Sequence, residues 1–313
     1  MIEVRQYSES DAEAWNDFVA KSKNGTFLLD RRYMDYHADR FTDHSLLFYN
    51  IDGALIALLP ANAEGGILFS HGGLTYGGLI VSERFKTTDA LDVFTSLRKH
   101  LLLDHYERVI YKPSPWFYHT QPSEEDLYAL FRFGARLAGR DVATLIDLTR
   151  MLPMATLRRR QVARALGNGV SVVREKDFGR FWKVLDDNLM QRYGVHPVHS
   201  LDEISLLASR FDNIELYEAR LDGETIGGVV LYVSADVAHV QYISANDEGK
   251  RLGAIDLIFS RIIENLKARC RFLDFGKSTE QFGHFLNKGL IFQKEGFGGR
   301  AVCYDTYEWT LWT

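Results

Sequence analysis

The 313-residue sequence holds two cysteines and six prolines. Cys270 and Cys303 stand far apart, so they form neither a disulfide framework nor a CxxC metal motif. Both are expected to be reduced packing residues. No apolar run reaches the roughly 18 residues needed to cross a bilayer, so no membrane span is expected. Basic charge is not in excess either: 37 Lys and Arg stand against 42 Asp and Glu, a net charge of -5. That balance argues against a protein that coats nucleic acid, and no DNA partner is expected, although a local basic groove remains open. There is no Ser-His-Asp order, no P-loop and no dinucleotide-binding glycine fingerprint. The opening Ile2-Glu3-Val4-Arg5 alternates as a strand does and does not read as a secretory leader. The cytoplasm is the expected location.

What is present is a weak internal repeat. A strand, an Asp-Gly turn and a second strand occur around Asp52-Gly53 and again around Asp222-Gly223. Asp-Gly between alternating apolar runs is a hairpin signal. A helical pattern follows each hairpin, beginning at Ala90 and at Ala254. The second of these places Ile255, Ile258, Phe259, Ile262, Ile263 and Leu266 on one face. A short strand follows each helix, at Arg108 and at Arg271. Three elements recur in the same order, and generic hairpin-helix-strand grammar is the competing explanation. The expected class is α+β, with two domains, 1–150 and 151–313, each a mixed, mostly antiparallel sheet flanked by helices. A strand-helix-strand succession gives a parallel pair by right-handed crossover. Such a pair in the middle of an antiparallel sheet leaves a point where two strands splay, with unpaired backbone groups facing a ligand.

Hairpin, helix and strand, duplicated, is the layout of tandem GNAT proteins, and the chain resembles the FemAB branch of that superfamily. The resemblance rests on Arg271-FLDFGKST after the long helix and on Lys294, Phe297 and Gly298 near the C-terminus. It also rests on the glycine-rich segment that starts at Ser70. It implies transfer of an acyl or aminoacyl group to an amine, with a degenerate or acceptor-binding first domain and a catalytic second one. The first donor is acyl-CoA and the alternative is aminoacyl-tRNA. The acceptor is a small molecule or an envelope precursor, such as an amino sugar or a peptide-linked intermediate. A non-catalytic binding protein with decayed clefts is the rival of another class.

The resemblance implies a cation beside the acyl donor at Lys294, where it would stabilise an oxyanion; a plain surface lysine is the alternative. Asp274, on the strand after the long helix, would orient an amine or act as base, or else be a buried carboxylate paired with a lysine. His239 and Gln241, two apart on one strand, are expected on one face. There His239 is a candidate base and Tyr242 a candidate acid, with packing as the bland alternative for each. Gly249, Lys250, Arg251, Gly253 and Ala254 occupy the place of the GNAT pyrophosphate loop, where helix-terminal N–H groups bind phosphate. Tyr193, His196 and His199 lie in a loop expected to bind acceptor, with Lys277 and, in the first half, His71 and Tyr76. His196 and His199 lack third and fourth ligands at zinc-like spacing, so no metal is expected. Arg158, Arg159, Arg160 and Arg164 form a basic helix face for phosphates or for solvent.

Overall fold

The structure is a computed structural model that describes residues 2–312. By contacts the chain divides into two units. Unit 1 runs to Asp141 and also takes Thr279–Phe285 and the residues from Cys303 on; unit 2 comprises Val142–Ser278 and Leu286–Val302.

In unit 1 the strands Glu3–Gln6, Leu46–Tyr49, Leu55–Leu59 and Ile80–Val81 pair in that order, each antiparallel to the next. A second ladder pairs Asn62–Glu64 with Ile67–Phe69, then Ile67–Phe69 with Arg108–Tyr111 in parallel, and Arg108–Tyr111 with the C-terminal Arg300–Thr310. The helix Thr87–Leu103 links the two parallel strands and buries Val93, Phe94, Leu97 and Leu101.

In unit 2 the strand order is Arg136–Asp147 (from Val142), Phe272–Lys277, Val237–Ala245, Glu224–Ser234, Ile214–Leu221, Ser171–Glu175. Every neighbouring pair is antiparallel except Val237–Ala245 with Phe272–Lys277. The Asp222-Gly223 turn has φ of 50° and 87° and closes directly on the pair Leu221↔Glu224, as a two-residue primed turn requires. The helix Ala254–Leu266 supplies the crossover, and the six apolar residues read from its sequence are all buried. Burying each such side chain contributes about 1.5–3 kcal/mol, which fixes the helix on the sheet. Beneath it Phe259 lies 4.7 Å from Phe275 and 4.8 Å from Phe297, ring centre to ring centre.

Unit 1 thus holds a four-stranded antiparallel ladder and a second, mixed one, and unit 2 a mixed, mostly antiparallel ladder; in each unit one parallel strand pair is joined by the long helix. Cys270 is buried, but Cys303 is exposed and does not pack as expected, since it lies on an outward position of its strand.

Candidate active site

The parallel pair of unit 2 is short. It registers Val237↔Phe272, Ala238↔Leu273 and His239↔Asp274, and stops there. Both strands become irregular just beyond. On the first, pairing with the neighbouring strand passes from Leu231↔Val240 to Val230↔Tyr242, one residue too many on the side of Gln241. On the second, it passes from Asp274↔Leu145 to Lys277↔Ala143, again one residue extra, with Gly276 at φ 67°. A bulge bends its strand and increases its twist. Two bulges on adjacent strands, both just past the last shared pair, turn the strands apart. The expected splay is present, and His239 and Asp274 stand at its fork.

The bulge also changes which side chains share a face. Strict alternation sets Tyr242 opposite His239 and pairs His239 with Gln241. The additional residue instead brings Tyr242 onto the face of His239, since Tyr232↔His239 and Val230↔Tyr242 lie on one side of the neighbouring strand.

His239 Nδ1 lies 2.7 Å from Asp274 Oδ2, and both residues are buried. The other carboxylate oxygen accepts the Gly276 N–H at 2.8 Å. A carboxylate held this way keeps the proton of the imidazole on Nδ1 and leaves Nε2 as the basic nitrogen. Gly276 has a second role. A Cβ built there would stand 3.1 Å from His239 Cε1, so the glycine gives the ring its room.

Lys294, on the helix Lys288–Glu295, donates to the Gly276 carbonyl at 3.0 Å and to the Lys277 carbonyl at 2.6 Å. It is buried, not the surface lysine of the alternative reading. Burial pushes its pKa down to about 8, against the opposing pull of Asp274. Two of its three N–H groups hold the bent strand, and Lys277 enters the site through its backbone carbonyl. Phe297 and Gly298 of the same motif are structural. Phe297 stacks on Phe275, and Gly298, at φ 99°, passes where a Cβ would meet the Leu152 carbonyl.

Tyr242 Oη accepts the His199 backbone N–H at 3.2 Å and lies in hydrogen-bond contact with His199 Nδ1. Trp182 donates its indole N–H to the His199 carbonyl. The loop around His199 borders an open cleft of about 530 Å³ lined by Trp182, His196, Pro197 and Val198. His196 turns elsewhere, to Asp186 at 2.7 Å, so the two histidines of the loop do not converge. Tyr193 is exposed.

The glycines assigned to a pyrophosphate loop have packing roles. A Cβ at Gly249 would lie 2.1 Å from the Ile226 carbonyl, and one at Gly253 2.8 Å from that of Gln161. Ala254 is fully buried. The short helix Asp247–Leu252 is capped by its own Asn246, which accepts from Gly249 N at 2.8 Å, and its first turn carries Asp247 and Glu248. Acidic groups at a helix N-terminus occupy the position that favours an anion. Lys250 reaches Asn188 and Asp247, and Arg251 pairs with Glu248. Lys250 borders a polar cleft of about 480 Å³ with Arg180, Lys183 and Asn188. On the helix Thr156–Gly167, Arg158 is tied to buried Asp256 at 2.9 Å, whereas Arg159, Arg160 and Arg164 are exposed.

In unit 1, Tyr76 is sealed in the core, hydrogen-bonded to Thr26, so it lines no binding surface as expected of it. Its ring packs on Tyr118, and that apolar contact has claimed the side chain. His71 lines a cleft of about 630 Å³ with Arg31, His37 and Asp43. Burial, and then His37, push its pKa down to about 3.

A family model described as an acetyltransferase (GNAT) domain matches residues 154–283. The match spans less than half of the chain. Over the rest of the chain the likeness is one of fold. A structure of FemX matches with a TM-score of 0.70 at 11% identity, covering 98% of this chain and 97% of that one. The C-terminal domain of a putative lysylphosphatidylglycerol synthetase from Agrobacterium fabrum matches at 0.65 and 15% identity, covering 96% and 92%. A tandem GNAT protein from the clavulanic acid biosynthesis pathway matches at 0.52 and 10%, covering 100% and 99%. No curated protein matches in sequence. The chain has the fold of these FemX and tandem GNAT structures, and the residues matched by the family model hold the fork at His239 and Asp274.

Proposed function

We propose that the chain is an N-acyltransferase whose reacting carbonyl enters the gap between Val237–Ala245 and Phe272–Lys277. The observation that carries this reading is the His239–Asp274 pair at the point where the two strands part. An acceptor amine attacks the carbonyl carbon while His239 Nε2 takes its proton, and Asp274 stabilises the imidazolium that forms. General-base assistance of this kind contributes on the order of 10²–10⁴ in rate. Backbone N–H groups along the open edge receive the developing oxyanion. The third N–H of Lys294 adds positive charge nearby. Collapse of the tetrahedral intermediate breaks the bond to the leaving thiolate or ribose oxygen and Tyr242 gives it a proton; the imidazolium of His239 then releases the amine's proton to solvent, and solvent reprotonates Tyr242. The acceptor is an amino sugar or a peptide-linked envelope precursor, entering by the cleft at Trp182 and Val198.

Acyl-CoA is the first donor. Aminoacyl-tRNA is a second reading with its own support. The self-capped, acidic start of Asp247–Leu252 offers little to a pyrophosphate, while Arg159, Arg160 and Arg164 present an exposed basic face. Incubation with labelled acetyl-CoA and, separately, with labelled charged tRNA, each with amine acceptors, tests both donors. Transfer from either, lost in His239→Gln, is the expected result. Absence of binding and transfer with both donors would leave a non-catalytic binding protein and end the enzyme reading.

A further inference from the structure

Unit 1 contains a side-chain cluster that plays no part in acyl transfer. His44, His100 and Asp104 each bring one potential ligand atom to within 4.8 Å of the others. We infer that these three residues form a Zn²⁺ site with a water in the fourth position.

One of the two imidazoles is already oriented as a ligand. His44 Nδ1 lies 3.2 Å from Tyr106 Oη. With Nδ1–H donating to the phenol oxygen, the Nε2 lone pair of His44 faces the cluster. Metal-bound histidines are oriented in this way by a partner on the other ring nitrogen. The Nε2 atoms of His44 and His100 are both buried and have no hydrogen-bond partner. Leaving a buried polar atom unpaired costs about 1–3 kcal/mol. One cation accepting both lone pairs removes both penalties.

The backbone holds the three residues in place. His44 N–H donates to the Ala61 carbonyl, fixing the chain just before Leu46–Tyr49. His100 and Asp104 stand one turn apart at the C-terminal end of Thr87–Leu103, with His100 Nε2 3.5 Å from Asp104 Oδ2. That helix ends in a left-handed residue, His105 at φ 62°. His105 N–H returns to the Leu102 carbonyl and Tyr106 N–H to that of Leu101. This double closure carries the chain back and sets Tyr106 beside His44. The carbonyl end of a helix favours a cation.

Two imidazoles and one carboxylate with an open position suit Zn²⁺, whose bonds to such ligands are about 2.0–2.2 Å. Tetrahedral bonds of that length put ligand atoms roughly 3.5 Å apart, so the cluster must close by about an ångström. Asp104, with a side chain 45% exposed, and His100, at 26%, lie at the solvent side and can make that movement. The bound ion would brace the end of the long helix against the start of the hairpin.

The test uses tag-free, chelator-stripped protein titrated with Zn²⁺ by calorimetry, with metal content measured after dialysis. His44 is buried and its removal risks misfolding, so the variants are His100→Asn, Asp104→Asn and the double variant, each checked by circular dichroism. Expected are about one Zn²⁺ per chain, a rise in melting temperature on loading, and binding at least about tenfold weaker in each single variant. Co²⁺ should give the visible bands of a four-coordinate ion in the wild type and not in the double variant. Zn²⁺ bound with equal affinity by the folded double variant, or no saturable binding by the wild type, overturns the assignment.

Discussion

His239 and Asp274 are the last pair of a three-residue parallel ladder, and their side chains lie 2.7 Å apart at the position where the backbones stop pairing. The carboxylate is fully buried and accepts from both the imidazole and the Gly276 N–H. Asp274→Asn keeps the shape and loses the charge that fixes the tautomer. Turnover should fall by about 10²-fold or more while the melting transition moves by no more than about 1–2 kcal/mol of stability. Single-turnover kinetics and thermal unfolding on the same samples check this. Undiminished turnover would remove the pair from the mechanism.

The geometry at that fork shows which parts of the reading lay in the sequence and which did not. The hairpins, the crossover helix with its buried Ile258, Phe259 and Ile262, and the need for a splayed parallel pair follow from periodicity and turn chemistry. The bulge at Gln241 does not, because one surplus residue there leaves no compositional mark. Tyr242 therefore changed face relative to simple alternation. Gly276 carried a signal in the run Asp274-Phe275-Gly276-Lys277, a glycine interrupting a strand. Gly249 and Gly253 resembled a phosphate loop, yet each lies against a carbonyl of the same unit. Tyr76 looked like a binding residue and is core, since nothing local distinguishes an aromatic that stacks on Tyr118 from one that faces a ligand. The His44–His100–Asp104 cluster joins segments distant in sequence and has no motif.

Stability should depend on pH through Lys294. Its folded pKa is about 8, below the ordinary 10.5, because burial disfavours the ammonium. Below pH 8 both folded and unfolded chains carry the proton, and the cost of the buried charge is fully present. Between 8 and 10.5 the unfolded chain binds more protons, so stability rises with pH, by roughly 2–4 kcal/mol in all. Urea unfolding of the wild type and of Lys294→Met across pH 7 to about 10.5 measures it. The wild-type stability relative to the variant should climb over that window, and a flat difference would refute the assignment.

Gly276→Ala is expected to damage both stability and turnover. Alanine at φ 67° costs about 1–2 kcal/mol, and its Cβ would press on His239 Cε1 at 3.1 Å. Gly298→Ala, at φ 99° and with its Cβ directed at the Leu152 backbone instead of the histidine, serves as the control. The Gly276 variant should lose activity beyond what its lowered melting temperature explains, and the Gly298 variant should not. Equal activity per folded molecule in the two would show that the imidazole tolerates the displacement.

The slot in unit 2 owes its existence to a count of residues, not to their character. Each of two neighbouring strands is one amino acid longer than its partner demands, and the surplus bends both away from the seam. Exchanging Gln241 for another side chain leaves that length mismatch intact. Deleting it restores the register with Glu224–Ser234 only, and the second surplus residue, beside Gly276, still turns the facing strand from the seam. Closing the slot calls for the loss of both surplus residues, one from each strand, whereas exchanging a side chain at either place leaves the opening where it is.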